Sequence, residues 1–297
     1  MKEVKKHLNI PSPLIQVNTK WSEKAGIELW LKRDDLIHPI ISGNKWRKLS
    51  GILAHYELED FTEIVTYGGA YSNHLVATAA TCAIANVKCT GIIRGEEPKV
   101  WNPVLKMCQL YGMSLKFVSR EEYKNTNRTE GISEGLLYIP EGAACDKGRV
   151  GCEDILAELN LSSISKVFVS CGTGTTIAGM AKHLIKTKNS TSQLFGIQVL
   201  KGENYISNDI SSQYGITNVQ VYDEFHCGGY AKTNEELISF IKEFTIETGV
   251  LLDPIYTGKM ILAIKKLSEK GVFKKGEKIV AIHTGGLTGW FGKANEL

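Results

Sequence analysis

Strand-like and helix-like hydrophobic patterns alternate along almost the whole chain, and this alternation limits the fold more than any other feature. Residues 28–32, 63–67, 88–94, 115–119, 166–170, 194–199 and 278–283 read as short apolar strands. Between them, apolar residues return at helical spacing over 44–58 (Trp46, Leu49, Ile52, Leu53 and Tyr56), 72–85, 101–111, 148–159, 175–186, 234–247 and 258–270. The polar stretch 120–134 reads as a surface connection. Strands separated by helices favour mainly parallel sheets covered by helices, an α/β fold. Ligands of such sheets bind at the carboxyl ends of strands. Three glycine-rich segments fall at those ends: Tyr67-Gly68-Gly69, Cys171-Gly172-Thr173-Gly174-Thr175-Thr176 and His283-Thr284-Gly285-Gly286.

The chain has 297 residues, 43% of them hydrophobic, enough for a large domain with a smaller one attached. Its 35 basic and 32 acidic residues are mixed along the chain. The densest basic stretch, Lys274, Lys275 and Lys278, is broken by Gly276 and Glu277 and reads as a solvated turn rather than a nucleic-acid surface. Residues 1–9 are charged and lack the apolar run of a signal peptide, and no later segment has the length of a spanning helix. The seven cysteines, Cys82, Cys89, Cys108, Cys145, Cys152, Cys171 and Cys227, are odd in number and irregular in spacing, without a C-x-x-C. That pattern fits buried thiols in a reducing compartment better than disulfides or a metal site. A soluble cytoplasmic protein is expected, with neither membrane nor nucleic acid as partner.

Residues 169–176 leave a strand and open a helix. Glycines let backbone amides approach an anion, threonine hydroxyls add donors, and a helix N-terminus adds partial positive charge. A dinucleotide fingerprint needs a small residue where Ile177 stands, and a P-loop needs a lysine where Met180 stands. A phosphate outside a nucleotide, or a bare Gly/Thr turn, remains. These mismatches also oppose a nucleotide-dependent transferase.

Ser42-Gly43-Asn44-Lys45-Trp46-Arg47-Lys48-Leu49 places Lys45 at the start of a helix after a glycine turn. A lysine that bonds covalently to a carbonyl must be held still and partly unprotonated. Burial, the helix N-terminus and the charges of Arg47 and Lys48 all push that way. The bland alternative is an exposed lysine in a basic first turn. Ser42 and Lys45 also match the S-x-x-K pattern of some acyl hydrolases, but so do Ser163 and Lys166, and the chain lacks S-D-N and K-T-G.

Together, residues 32–36 (Lys-Arg-Asp-Asp-Leu), the Ser42 to Leu49 motif and Gly68-Gly69-Ala70-Tyr71-Ser72-Asn73-His74 resemble the opening of 1-aminocyclopropane-1-carboxylate deaminase and D-cysteine desulfhydrase. The Gly/Thr loop, Asp253-Pro254-Ile255-Tyr256-Thr257-Gly258-Lys259 and His283-Thr284-Gly285-Gly286 continue the match in order, over about residues 11 to 286. The resemblance implies a two-domain, tryptophan-synthase-β-like fold (fold type II of the pyridoxal-phosphate enzymes). Residues 1–49 and 145–297 would form the large cofactor domain, with 50–144 as a smaller inserted α/β domain, and the protein would be a homodimer.

The resemblance also implies roles. Lys45 would carry pyridoxal 5'-phosphate as a Schiff base and move the substrate proton. Asn44, Cys171, Gly172, Thr173, Gly174, Thr175, Thr176 and Thr284 would contact the cofactor, and Asn73 its ring hydroxyl. Ser72 would meet the substrate carboxylate or share in proton transfer. Asn73, His74, Tyr230, Tyr256 and Thr257 would border a small amino-acid substrate, with Tyr230 and Tyr256 joining Lys45 and Ser72 as catalytic residues. Against these stand plainer readings. Ser72 and Asn73 could only cap a helix, His74 could be structural, and Tyr230 and Tyr256 could be packing aromatics.

Two departures choose within the family. True aminocyclopropanecarboxylate deaminases carry a glutamate where this chain has Thr257 and a leucine where it has Thr284. A carboxylate beside the cofactor's ring nitrogen keeps the ring a strong electron sink, whereas a neutral hydroxyl suits β-elimination, in which a thiolate leaves readily. D-Cysteine, giving pyruvate, ammonia and sulfide, is the expected substrate type. The alternatives are 1-aminocyclopropane-1-carboxylate, giving 2-oxobutyrate, and cofactor binding without catalysis. The chain is shortened around 120–136 and 200–219, and Phe225-His226-Cys227-Gly228-Gly229 before Tyr230 is unusual for the family.

Overall fold

The computed structural model describes residues 2–41, 43–126, 129–188, 191–217, 219–293 and 296. Ser42, which opens both the S-x-x-K match and the lysine motif, lies outside them, as does Asn218 of the shortened stretch.

The strands are β1 (Leu14–Val17), β2 (Glu28–Lys32), β3 (Glu63–Gly69), β4 (Lys88–Arg94), β5 (Ser114–Val118), β6 (Gly131–Ser133), β7 (Leu136–Ile139), β8 (Lys166–Cys171), β9 (Gln193–Gln198), β10 (Gln220–Tyr222) and β11 (Lys278–Ile282). The helices are α1 (Lys2–Lys6), α2 (Lys20–Ala25), α3 (Gly43–Leu53), α4 (Asn73–Ala85), α5 (Pro103–Leu110), α6 (Arg120–Asn125), α7 (Asp146–Gly151), α8 (Asp154–Ala157), α9 (Thr175–Lys186), α10 (Tyr205–Tyr214), α11 (Glu235–Thr248) and α12 (Thr257–Glu269).

Two sheets result, with strand orders β1-β2-β11-β8-β9-β10 and β5-β4-β3-β7-β6. Among the described strands, only the β1–β2 and β6–β7 pairings are antiparallel. The first sheet is buried on both faces, as parallel sheets are. Alternate residues of its central strands serve two cores. Phe168, Leu29, Leu31, Ile279 and Ala281 meet α11 and α12 on one side, while Val167, Val169, Val280 and Ile282 meet α9 on the other. The core of the second sheet also takes in Val4, Ile37, Ile41, Trp46 and Leu49 from the chain before residue 50.

The expected helix over 148–159 is two short pieces, α7 and α8. Glycines let α7 approach α3 to backbone contact: a Cβ on Gly151 would stand 2.0 Å from the Arg47 carbonyl oxygen, and one on Gly51 2.2 Å from the Lys147 carbonyl oxygen. The stretch 120–134, expected as a connection, holds α6 and β6.

Candidate active site

The carboxyl ends of β3, β8 and β11 open into one cleft of about 800 Å³, bordered also by the start of α3. The glycine turn before Lys45 is fixed by β11. Gly43 has φ +62°, and a Cβ there would stand 1.8 Å from the Thr284 carbonyl oxygen. Only glycine accepts both the left-handed backbone and that approach. Asn44 then donates from Nδ2 to Thr176 Oγ1 at 3.1 Å and accepts at Oδ1 from Lys45 Nζ at 2.8 Å. One asparagine thereby ties the lysine to the Gly/Thr loop.

Burial, and secondarily the charge of Lys48, pull the Lys45 amine down to about 7 from its usual 10.5. Arg47, expected to help, does not. Its guanidinium is neutralised by Asp34, at 2.9 and 3.0 Å, and by Glu158, which also pairs with Lys32. Lys48 lines the cleft, as do Arg94 and Lys293, and its charge is the one that acts on Lys45. It is buried, and its Nζ donates to Gly142 O at 3.1 Å and Thr173 Oγ1 at 3.3 Å.

Helix α9 follows Gly174 (φ +71°), an N-cap without a side chain, so among the described residues no cap side chain accepts from its first amides. Thr173 Oγ1 lies 3.1 Å from Thr175 Oγ1. Ser170 Oγ, buried at the end of β8 where the cleft begins, has no partner among the described residues. Free amides, hydroxyls, a helix N-terminus and the Lys48 ammonium form a donor set that fits a phosphate. Cys171, Gly172, Thr173, Gly174 and Thr176 line the cleft; Thr175 is buried behind them.

Ser72 caps α4, but weakly: its Oγ accepts from Leu75 N at 3.4 Å and still lines the cleft with Asn73 and His74. His74 Nε2 lies 2.7 Å from Thr66 Oγ1, whose own proton goes to Ile139 O at 2.9 Å. His74 therefore carries its proton on Nε2 and presents Nδ1 as an acceptor, which has no partner among the described residues. Burial, with Lys45 and Lys48 nearby, pushes its pKa down to about 3, so the ring stays neutral.

Tyr230 and Tyr256 meet edge to face, with centroids 6.2 Å apart, and the Tyr256 ring lies 6.0 Å from Lys45 Nζ. Burial, reinforced by Tyr230, holds the Tyr256 hydroxyl well above its ordinary pKa. Thr284 lines the cleft. Thr257 does not: it is fully buried, and its hydroxyl donates to Asp253 Oδ2 at 2.6 Å. Thr257 and Thr175 are the two expected site residues that the fold keeps out of the cleft. Asp253 accepts amides from Ile255, Tyr256 and Thr257 at 2.9, 2.7 and 2.8 Å and so sets the turn that presents Tyr256.

Sequence reasoning missed Lys48 as a donor to the Gly/Thr loop. Its position one helical turn after Lys45 was the available signal. Among the described residues no group of His, Cys, Asp and Glu could hold a metal ion, and no helix is long and apolar enough to cross a membrane.

Residues 6–285 match the family profile described as "Pyridoxal-phosphate dependent enzyme". A Thermotoga maritima protein named "Putative 1-aminocyclopropane-1-carboxylate deaminase" is 32% identical over 97% of this chain and 97% of its own length. The Arabidopsis thaliana "Bifunctional D-cysteine desulfhydrase/1-aminocyclopropane-1-carboxylate deaminase, mitochondrial" is 28% identical over 97% of this chain and 79% of its own. Among solved structures, an "ACC deaminase homologue" superposes with a TM-score of 0.80 at 26% identity, covering 98% of this chain and 94% of that one. The chain belongs to the pyridoxal-phosphate dependent enzymes, with the α/β fold of type II, within the 1-aminocyclopropane-1-carboxylate deaminase and D-cysteine desulfhydrase family, and pyridoxal phosphate is its cofactor.

Proposed function

We propose that this enzyme removes nitrogen from a small amino acid by β-elimination, with D-cysteine as the substrate type and pyruvate, ammonia and sulfide as products. Thr284 carries this reading. It is the side chain at the carboxyl end of β11 that borders the cleft where the resemblance puts the cofactor ring, and it is neutral. The nearby carboxylate of Asp253 cannot substitute, because both its oxygens are engaged by the turn before α12. Thr257 is withdrawn from the set of substrate contacts, since its hydroxyl serves Asp253.

When bound, the cofactor supplies the electron sink that stabilises negative charge at the substrate's α-carbon. Lys45, with a pKa near 7, takes the α-proton as a neutral amine near neutral pH. Lys48, the Gly172 to Thr176 loop and the first amides of α9 hold the phosphate. Asn44 and Asn73 orient the cofactor. Ser72 and the N-terminus of α4 receive the substrate carboxylate beside the neutral His74. Tyr230 and Tyr256 wall the substrate, and Tyr256 stays protonated. As the Cβ–S bond breaks, its electron pair leaves with sulfur, which takes up a proton, the electrons left at the α-carbon form the Cα–Cβ double bond, and water hydrolyses the released enamine to pyruvate and ammonia.

A cytoplasmic homodimer is part of the same proposal. The seven unpaired cysteines favour a reducing compartment, and the family resemblance supplies the dimer.

The second reading, opening of 1-aminocyclopropane-1-carboxylate, is favoured by the name of the Thermotoga maritima relative, whereas the Arabidopsis thaliana relative is named for both activities. Keto-acid release from cofactor-loaded protein separates the two. Pyruvate and sulfide from D-cysteine, abolished by Lys45→Ala, is the expected result. 2-Oxobutyrate from the cyclopropane substrate, with no reaction of D-cysteine, would sink the Thr284 argument.

A further inference from the structure

The unusual segment Phe225-His226-Cys227-Gly228-Gly229 leads into Tyr230, and its backbone is held in a conformation that few residues adopt. Cys227 (φ +50°), Gly228 (+92°), Gly229 (+117°) and Ala231 (+53°) all lie in the left-handed half of backbone space, and two of the four are not glycine. Such residues cost energy and persist only where their surroundings fix them.

The chain fixes this loop partly by itself. Gly228 N donates to His226 Nδ1 at 3.0 Å, Gly229 N to His226 O at 3.1 Å, and Lys232 N to Gly229 O at 3.1 Å. The remaining support comes from below. Lys259, in the first turn of α12, is fully buried, and its Nζ donates to His226 O and Gly229 O, each at 2.8 Å. Among the described residues no carboxylate pairs with it. A buried ammonium satisfied by two carbonyls is expensive to keep, and here both carbonyls belong to the loop that carries Tyr230.

We propose that Lys259 is a positioning residue: its ammonium clamps the loop 225–231 so that Tyr230 stands against Tyr256 at the cleft. The inference rests on the reading of Tyr230 as a wall of the substrate site. The same helix thus contributes at both ends of one turn, since Tyr256 immediately precedes its start and Lys259, three residues on, reaches to the loop of Tyr230.

The clamp is charge-dependent. Burial lowers the Lys259 pKa to about 8, with Cys227 and Asp253 opposing the shift and Lys293 adding to it. His226 lends its carbonyl and uses its ring nitrogen within the loop. Cys227, itself near Lys266 and Glu236, is pushed up by burial. The lysine is therefore charged at neutral pH and loses its proton as pH rises through about 8, where the clamp should loosen.

Hydrogen exchange of the cofactor-loaded protein tests this without needing the substrate. In Lys259→Met, protection of peptides spanning 225–232 should fall about tenfold or more at pH 7, while peptides of β8 and β11 keep theirs. After correction for intrinsic exchange, the wild-type loop should lose protection between pH 7 and 9, and the variant should show no such step. On whichever substrate the enzyme turns over, KM should rise more than kcat falls. Unchanged loop protection, or a loss spread evenly over the chain, would overturn the proposal. If the variant fails to fold, a wild-type loop whose protection does not change through pH 8 would overturn it equally. Failure of D-cysteine to react would touch only the substrate assignment.

Discussion

At the scale of single residues, the site depends on placing two lysines one helical turn apart with different tasks. Lys45 is bound to Asn44 alone among the described side chains, and burial keeps its amine near neutrality. Lys48 is tied to the Gly/Thr loop and supplies the nearby charge that assists this shift. Replacing Lys48 by Met should act on both. Cofactor affinity should fall about 10- to 100-fold, the range for losing a charged hydrogen bond to a phosphate site. The pH at which Lys45 begins to capture added cofactor should move upward from about 7, because the like charge is gone. Titration of apo-protein with pyridoxal phosphate over pH 6 to 9 reads both effects. Unchanged affinity and an unchanged midpoint would remove Lys48 from the site.

At the scale of elements, α3 is the part most constrained by its neighbours. Its first residue touches the end of β11, and a later turn touches α7 at backbone distance. Gly43→Ala should destabilise the protein by at least about 2 kcal/mol and should weaken cofactor binding together with stability. The urea midpoint and a cofactor titration check this. Full stability in the variant would show that the turn can move off Thr284.

The sequence made most such elements legible where periodicity was strong. The extents expected for the 88–94 strand and the 175–186 helix match β4 and α9. Elements whose identity comes from tertiary contact were not legible. Helix α10 is rich in Ser, Asn and Gln and follows Asn204 with φ +50°, so its sequence resembles a loop; Ile206 and Ile210, buried against the first sheet, hold it. Strands β1 and β7 have only four residues each, too few to show a period. At the site, Thr257 adjoins Tyr256 in sequence, but one step along a helix turns a side chain by about 100°, and that step points it at Asp253 instead of the cleft.

At the scale of the whole molecule, residues separated by more than 200 positions converge because three strands end at one cleft. β3 delivers Ser72 to His74, β8 delivers the Gly/Thr loop, and β11 delivers Thr284 and the seat for Gly43. We propose that the span 50–144 acts as the smaller unit, since every strand of the second sheet lies within it. The core around that sheet also draws on Trp46 and Leu49, so α3 couples the two units through the helix that bears Lys45. The central claim is that this helix carries the cofactor covalently at one defined atom. Borohydride reduction of the loaded protein, followed by peptide mass spectrometry, measures it directly. The cofactor mass should be found on Lys45; its appearance on Lys48 or Lys259, or on no lysine, would contradict the account.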